Sequence, residues 1–415
     1  MYRRALVLVL IGGLALLAAG CGSAPAVKGG NPAPGQAPVY AVDAAAGQIA
    51  LLGAGGQVTR TLPLGTPSRN WDTLYVATPG ATSTRVVALA PASGTVLRAT
   101  TVAGRWTLPA IGLARVPDGL SDDGSTLVLQ QLGGTHAASR FAVLNSTLRT
   151  PARVLSLHGW FEYDAVSPEG ATLYLIEHLA SNDLTRYRVR SYDVSAQQLN
   201  EGIIVDKREL DEASMQGLPN TRVSDGTWAY TLYRSAKGPF IHALNLEQGF
   251  AVCIDLPAGA RSADRTARLW SLAYDERGSS LYAVNTALGM VVRVRVDEAN
   301  PFDYKVTTGT FAPAPAAAGI ATEAGVGSVT LTSDGSLLLA GGAGGLSAIR
   351  TADLTLAGHY LSSWTFDGLA ASPDGSRLYG LSRSKAAIVS IDPRSGATLG
   401  QRTVPGATQL LRAAG

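Results

Sequence analysis

The chain has 415 residues, 46% of them hydrophobic, with 34 Lys and Arg set against 31 Asp and Glu. A balance this even, with no basic stripe, excludes nucleic acid as a partner, because a nucleic-acid surface concentrates positive charge on one face. Two cysteines, Cys21 and Cys253, exclude a multi-disulfide framework, a haem attachment motif and a cysteine-based zinc site.

Residues 1–20 read as an export signal. Arg3 and Arg4 precede an uncharged apolar run from Ala5 to Ala19, which ends in Leu17-Ala18-Ala19-Gly20-Cys21. A basic start, a short apolar core and small residues before a cleavage point make a signal peptide. The run falls short of the roughly 20 apolar residues that cross a bilayer. A cysteine directly after small residues resembles the bacterial lipoprotein signal, with Ala18 where that pattern most often has Leu. The resemblance implies cleavage before Cys21 and a lipid on its side chain. Losing Arg3 and Arg4 leaves 32 basic residues against 31 acidic ones, a net of +1. Residues 21–37 combine Cys21 with Gly, Pro, Ala, Ser, Asn and Gln, one Val and a single charge at Lys28, and read as a flexible tether. Random-coil scaling gives it a mean span of about 20–25 Å. The expected location is outside the cell membrane, lipid-anchored to its outer face, in the periplasm or at the cell surface.

Residues 38–415 read as a single repeat domain. The pairs Val39-Tyr40, Leu74-Tyr75, Leu127-Val128, Leu173-Tyr174, Ala229-Tyr230, Leu281-Tyr282, Leu338-Leu339 and Leu378-Tyr379 each mark an apolar strand. Most follow a tight turn. The best copy is Ser372-Pro373-Asp374-Gly375, with relatives at Ser121-Asp122-Asp123-Gly124, Ser167-Pro168-Glu169-Gly170, Ser224-Asp225-Gly226, Asp275-Glu276-Arg277-Gly278 and Ser333-Asp334-Gly335. Pro and Asp suit the first half of such a turn, and Gly takes its φ > 0 position. A period of about 40–50 residues with several strands per unit predicts an all-β fold, a β-propeller of four-stranded blades. Thr408 to Arg412 is a spare last strand, expected to close the ring by joining the first blade. Between Leu64 and Ser68 only Gly65, Thr66 and Pro67 remain, too few for an inner strand. The count is therefore seven blades if the first two units merge, or eight if both are complete.

Asp206 to Gln216 interrupts this pattern. Lys207 with Asp211, and Arg208 with Glu212, stand four apart, which predicts a short helix inserted between blades. Cys253 lies on a strand and reads as an inert buried thiol. His136, His158, His178, His242 and His359 are scattered without metal-ligand spacing, and no calcium loop appears. Gly341 to Gly345 reads as a hairpin and not as a phosphate loop, which needs a helix behind it. No catalytic, cofactor or metal residue is assigned. Candidate ligand-binding residues cluster between Gly217 and Asp255, where Arg222, Tyr230, Tyr233 and His242 combine aromatic and polar groups as small-ligand sites do. The competing reading makes His242 a satisfied core histidine and the aromatics blade filler.

The repeats, with Leu74-Tyr75-Val76-Ala77 and Leu281-Tyr282-Ala283-Val284-Asn285 after their turns, resemble the YVTN-type propeller repeats of bacterial surface and periplasmic proteins. The segment from Thr221 to Pro257 also resembles bacterial propeller lipoproteins without an assigned activity. The resemblance implies a scaffold for binding, within a superfamily that includes lactonases and propeller subunits of quinoprotein dehydrogenases. The expected function is a non-catalytic, membrane-anchored scaffold for an envelope protein or glycan. The alternative is a hydrolase or lactonase-like enzyme with its site at the central opening. A funnel lined by Glu, Arg and His favours the enzyme, and a smooth apolar face favours the scaffold.

Overall fold

The computed structural model describes residues 38–413, except 44, 54–56, 113–114, 207–214, 236–237, 258–268, 297–302 and 313–327. The expected signal, residues 1–20, and the expected tether, residues 21–37, therefore lie outside the described residues. Eight four-stranded antiparallel sheets follow one another along the chain, which settles the blade count at eight. All eight repeat pairs fall on the second strand of their blade, counted from the centre.

Blade 1 closes the ring. Its inner strand is Gln409–Ala413, paired with Val39–Asp43, and Val39 stands opposite Ala413. The Thr408 N–H donates to the Val42 carbonyl at 2.7 Å, locking the last strand onto the first. Blade 2 corrects the expectation that three residues are too few. Thr66–Pro67 is its inner strand, two residues long, with Thr66 opposite Tyr75 and Pro67 opposite Leu74. So short a strand holds because the Thr66 hydroxyl also donates, at 2.8 Å, to the Asp118 carbonyl in the ring centre.

The turns work as their sequence implies. In blade 8 the Ser372 hydroxyl donates to the Asp374 carboxylate at 2.6 Å, and the Arg377 N–H donates back to the Ser372 hydroxyl at 2.9 Å. Gly375 has φ +69°, and a Cβ there would lie 1.8 Å from the Ser333 hydroxyl of the neighbouring turn. Glycine is therefore required twice, for conformation and for room. Gly342 stands opposite Gly345, so the glycine run is the expected hairpin.

Alternation along each strand splits its side chains between the two neighbouring blades. The buried apolar residues accordingly form eight clusters, each shared by consecutive blades. Tyr40, Ile49 and Leu51 of blade 1 meet Leu74 and Val76 of blade 2 in one of them. In another, Leu52 of blade 1 meets Tyr379 and Leu381 of blade 8. Burial is therefore distributed around the ring, and a blade has no core of its own.

The two ends of the ring differ. At the turn end, the first and second strands of blades 2–8 are joined by the short turns. In blade 1 that position is taken by Ala413 and Val39, so the segment preceding Val39 leaves from the turn end. At the connection end, outer strands lead to the next inner strand. The longest such connections, 205–217, 256–270 and 311–328, fall consecutively between blades 4 and 7. The helix expected over Asp206 to Gln216 meets a correction at its margins. Asp206 bridges to Ala251, and Met215–Gln216 pairs as a strand with Tyr187 and Arg186, while 207–214 lie outside the described residues. Pairing with an open strand edge satisfies backbone groups that side-chain ion pairs worth about 0.2–0.5 kcal/mol cannot.

Candidate functional site: the charged hub of the ring

Blade 3 has an interrupted inner strand. It begins at Trp106–Thr107, opposite Gln131 and Gln130, and resumes only at Leu120, opposite Leu127. The residues between leave the sheet as a small hairpin, Ala110–Ile111 paired with Val116–Pro117. This hairpin reaches from blade 3 towards the inner strands of blades 2, 4 and 5. Its tip residue Gly112, at φ +68°, approaches blade 5 so closely that a Cβ would lie 2.4 Å from the Asn220 carbonyl. At its base, the Asp118 carbonyl accepts from Thr66 of blade 2, and the Tyr163 hydroxyl of blade 4 reaches the Asp118 carboxylate at 3.4 Å.

Two bulges aim side chains into this space. The inner strand of blade 4, Phe161–Val166, slips register between Tyr163 and Ala165, so Asp164 is its extra residue. The inner strand of blade 5, Leu218–Ser224, slips between Pro219 and Thr221 at Asn220. A bulge re-aims the extra side chain off the pleat. Asp164, 1% exposed, accepts from Arg222 through both its backbone carbonyl and its Oδ1. The Arg222 Nε donates to the Thr231 hydroxyl at 2.8 Å, while Asp164 Oδ2 is buried without a hydrogen-bond partner.

The titration of these groups follows from burial and from this one cation. Burial opposes charge on Arg222, yet Asp164 and then Asp118 outweigh it, so its pKa is raised and the guanidinium stays charged. Burial holds the Asp118 carboxyl above the usual carboxylate range, with Arg222 pulling the other way. Burial also lifts the Tyr163, Tyr187 and Tyr233 phenols, which stay protonated. His242 is pushed down to about 4 by burial, with Asp164 opposing and Arg222 assisting, so its imidazole is neutral.

Around the hub, towards the connection end, runs a row of rings. Trp160 is stacked between His136 at 4.0 Å and His178 at 4.2 Å, and Tyr187 and Tyr233 continue the row into blade 5. His178 Nε2 lies 3.2 Å from the Glu162 carboxylate, and the nearby His178 ring lowers the Glu162 pKa.

Of the four sequence candidates, three come together. Arg222, Tyr233 and His242 face blade 4, and Tyr230 faces blade 6 because it is an odd number of positions from Tyr233 on the same strand. His242 is 1% exposed, with Cys253 Sγ 3.9 Å from its Nδ1. Cys253 itself is only partly buried. Sequence reading passed over Asp118, Glu162, Tyr163 and Asp164. The available signal was Phe161-Glu162-Tyr163-Asp164, which puts two carboxylates into an inner strand whose counterparts elsewhere are mostly uncharged. Among the described residues no three His, Cys, Asp or Glu side chains converge as a metal site needs.

No protein-family model matches the chain. No curated protein matches it either. Solved structures do resemble it. Apo AztD from Citrobacter koseri superposes with a TM-score of 0.54 at 10% identity, over 91% of this chain and 97% of that one. The dihydro-heme d1 dehydrogenase NirN aligns with a TM-score of 0.50 at 11% identity, over 83% of this chain and 67% of that one. The periplasmic gluconolactonase of Pseudomonas aeruginosa aligns at 0.44 and 18% identity, over 82% of this chain and 98% of that one. At these identities the likeness is one of fold, a β-propeller, and carries no activity across.

Proposed function

We propose that this chain is a lipid-anchored, YVTN-type propeller of the cell envelope, exported by residues 1–20 and held to the membrane by lipidated Cys21. It acts as a binding scaffold for an envelope protein or glycan. One observation supports the scaffold reading: the chain's own hairpin lies against the inner strands of blades 2, 4 and 5, where a propeller enzyme would assemble its site. Thr66, Tyr163 and Asn220 grip that hairpin from three blades. The strongest local charge, Arg222, is already engaged by Asp164 and Thr231. A tether leaving from the turn end presents the connection end outward, towards a partner.

The test is chemical crosslinking of full-length lipidated protein in intact cells, with a Cys21→Ala control. One abundant partner lost with the anchor supports the scaffold. Capture that is the same with and without Cys21 counts against an anchored role.

A second reading, a lactonase-like hydrolase, draws on the Asp118 carboxyl, held towards its protonated form by burial beside Tyr163 and Arg222. A carboxyl so placed suits a general acid. Turnover of a lactone or ester panel that vanishes in Asp118→Asn would replace the scaffold with the hydrolase.

A further inference from the structure

One row of side chains on the face of blade 5 that meets blade 4 is polar from the ring centre to the outer edge. Arg222, Thr231, His242 and Cys253 stand opposite one another in register, one on each of the four strands. The Arg222 Nε donates to the Thr231 hydroxyl at 2.8 Å, and Cys253 Sγ lies 3.9 Å from His242 Nδ1. Two atoms of this seam meet no protein group, Nε2 of His242 and, on blade 4, Oδ2 of Asp164. Both residues are 1% exposed. We infer that the seam between blades 4 and 5 is a binding site for ordered water, which bridges Asp164 Oδ2 to His242 Nε2.

A buried polar atom without a partner forfeits the hydrogen bonds that solvent gives it in the unfolded chain. Folded proteins meet such atoms with internal water, each molecule making about three hydrogen bonds. Asp164 and His242 supply two of the three. The third comes from the phenols beside them. The Tyr233 ring meets His242 edge to face at 6.0 Å, and the Tyr187 and Tyr233 hydroxyls are close to each other and within range of the Asp164 charge. No third group among the described residues meets either hydroxyl. One phenol can donate to the other, which leaves the proton of the second for a further acceptor.

Charge and size select water over other occupants. The Arg222 guanidinium, bonded to Asp164, repels a cation, and the Asp164 carboxylate repels an anion. Asp164, Tyr187 and His242 are 1% exposed and Tyr233 is 0% exposed, so the seam has no mouth for a larger molecule. Water also fits the mixed demand. It donates to the carboxylate, accepts from a phenol, and does either with Nε2, because His242 is neutral and its two ring nitrogens exchange donor and acceptor roles with the tautomer. Water so placed joins two blades through Asp164 and His242. Its exchange with solvent requires those blades to part, so its residence time reports how firmly the ring is held there.

The test is a crystal structure of the full-length protein at about 2 Å or better, joined to water relaxation dispersion on the same protein and on His242→Phe. The expected density is a water within about 2.6–3.2 Å of both Asp164 Oδ2 and His242 Nε2. The expected dispersion shows at least one long-lived internal water that His242→Phe loses, since the larger apolar ring removes both a partner and the room. Far-ultraviolet circular dichroism confirms that the variant is folded, and if it is not, the wild-type density decides alone. A dry seam, an ion in place of water, or a protein group closed on Asp164 Oδ2 overturns the inference, as does a count of long-lived waters that the folded variant leaves unchanged.

Discussion

Arg222 of blade 5 closes on Asp164 of blade 4, a residue placed by a bulge in the inner strand and 1% exposed. The pair joins two blades at the wall of the ring centre. Its worth lies less in the attraction, which desolvation offsets, than in what its loss would leave behind.

Arg222→Met strands the Asp164 carboxylate without its cation. The expected cost is about 3–5 kcal/mol in denaturant unfolding, because an uncompensated buried charge remains. Asp164→Asn in the same background should recover part of it. A loss in the single variant no larger than at an exposed arginine would refute the lock.

Arg69→Ala offers the contrast. Arg69 bridges Asp122 and Glu276 across the ring, yet its side chain is 51% exposed and theirs are 37% and 68% exposed. Solvent screens such pairs, so the expected change is less than about 1 kcal/mol. The comparison of Arg69→Ala with Arg222→Met in one denaturation series separates location from geometry.

His242 imposes a pH dependence. Folding lowers its pKa from 6.5 to about 4, so between those values the unfolded chain binds more protons than the folded one. Stability is full above the upper value, falls as pH drops through the window, and levels off below about 4. The shift corresponds to about 3 kcal/mol. His242→Leu should flatten that part of the unfolding profile, and an unchanged slope would place the titrating group elsewhere.

Gly112→Ala tests the hairpin. The added methyl meets the Asn220 carbonyl, and the residue must hold φ +68°. A cost of about 1–3 kcal/mol is expected, with faster amide exchange across Ala110–Pro117 than across the blades. Protection there equal to that of the wild type would mean that the hairpin is not pressed against blade 5.

The repeat pattern carried most of the fold. Apolar pairs such as Leu378-Tyr379 after Ser-Pro-Asp-Gly turns locate eight second strands, since alternation and turn chemistry are local properties that a sequence displays directly. Closure by Gln409–Ala413 was legible for the same reason, as a strand without a blade. Thr66–Pro67 was not. Two residues carry no periodicity, and this strand exists only because Tyr75, Leu74 and the Asp118 carbonyl are already in place beside it.

The sites divide in the same way. Arg222, Tyr230, Tyr233 and His242 stood out together by residue type, and only the structure set Tyr230 on the face opposite Tyr233. What they meet depended on the ring. Asp118 lies 46 residues before Asp164, and Arg69 lies 207 before Glu276, so no local pattern links them. Sequence determines strands and turns because neighbouring residues decide them, whereas the choice between seven and eight blades rested on Thr66–Pro67 pairing in the ring. Only the closed ring decides which charges face each other across its centre, because distance in space there is set by the circle of blades and not by the chain.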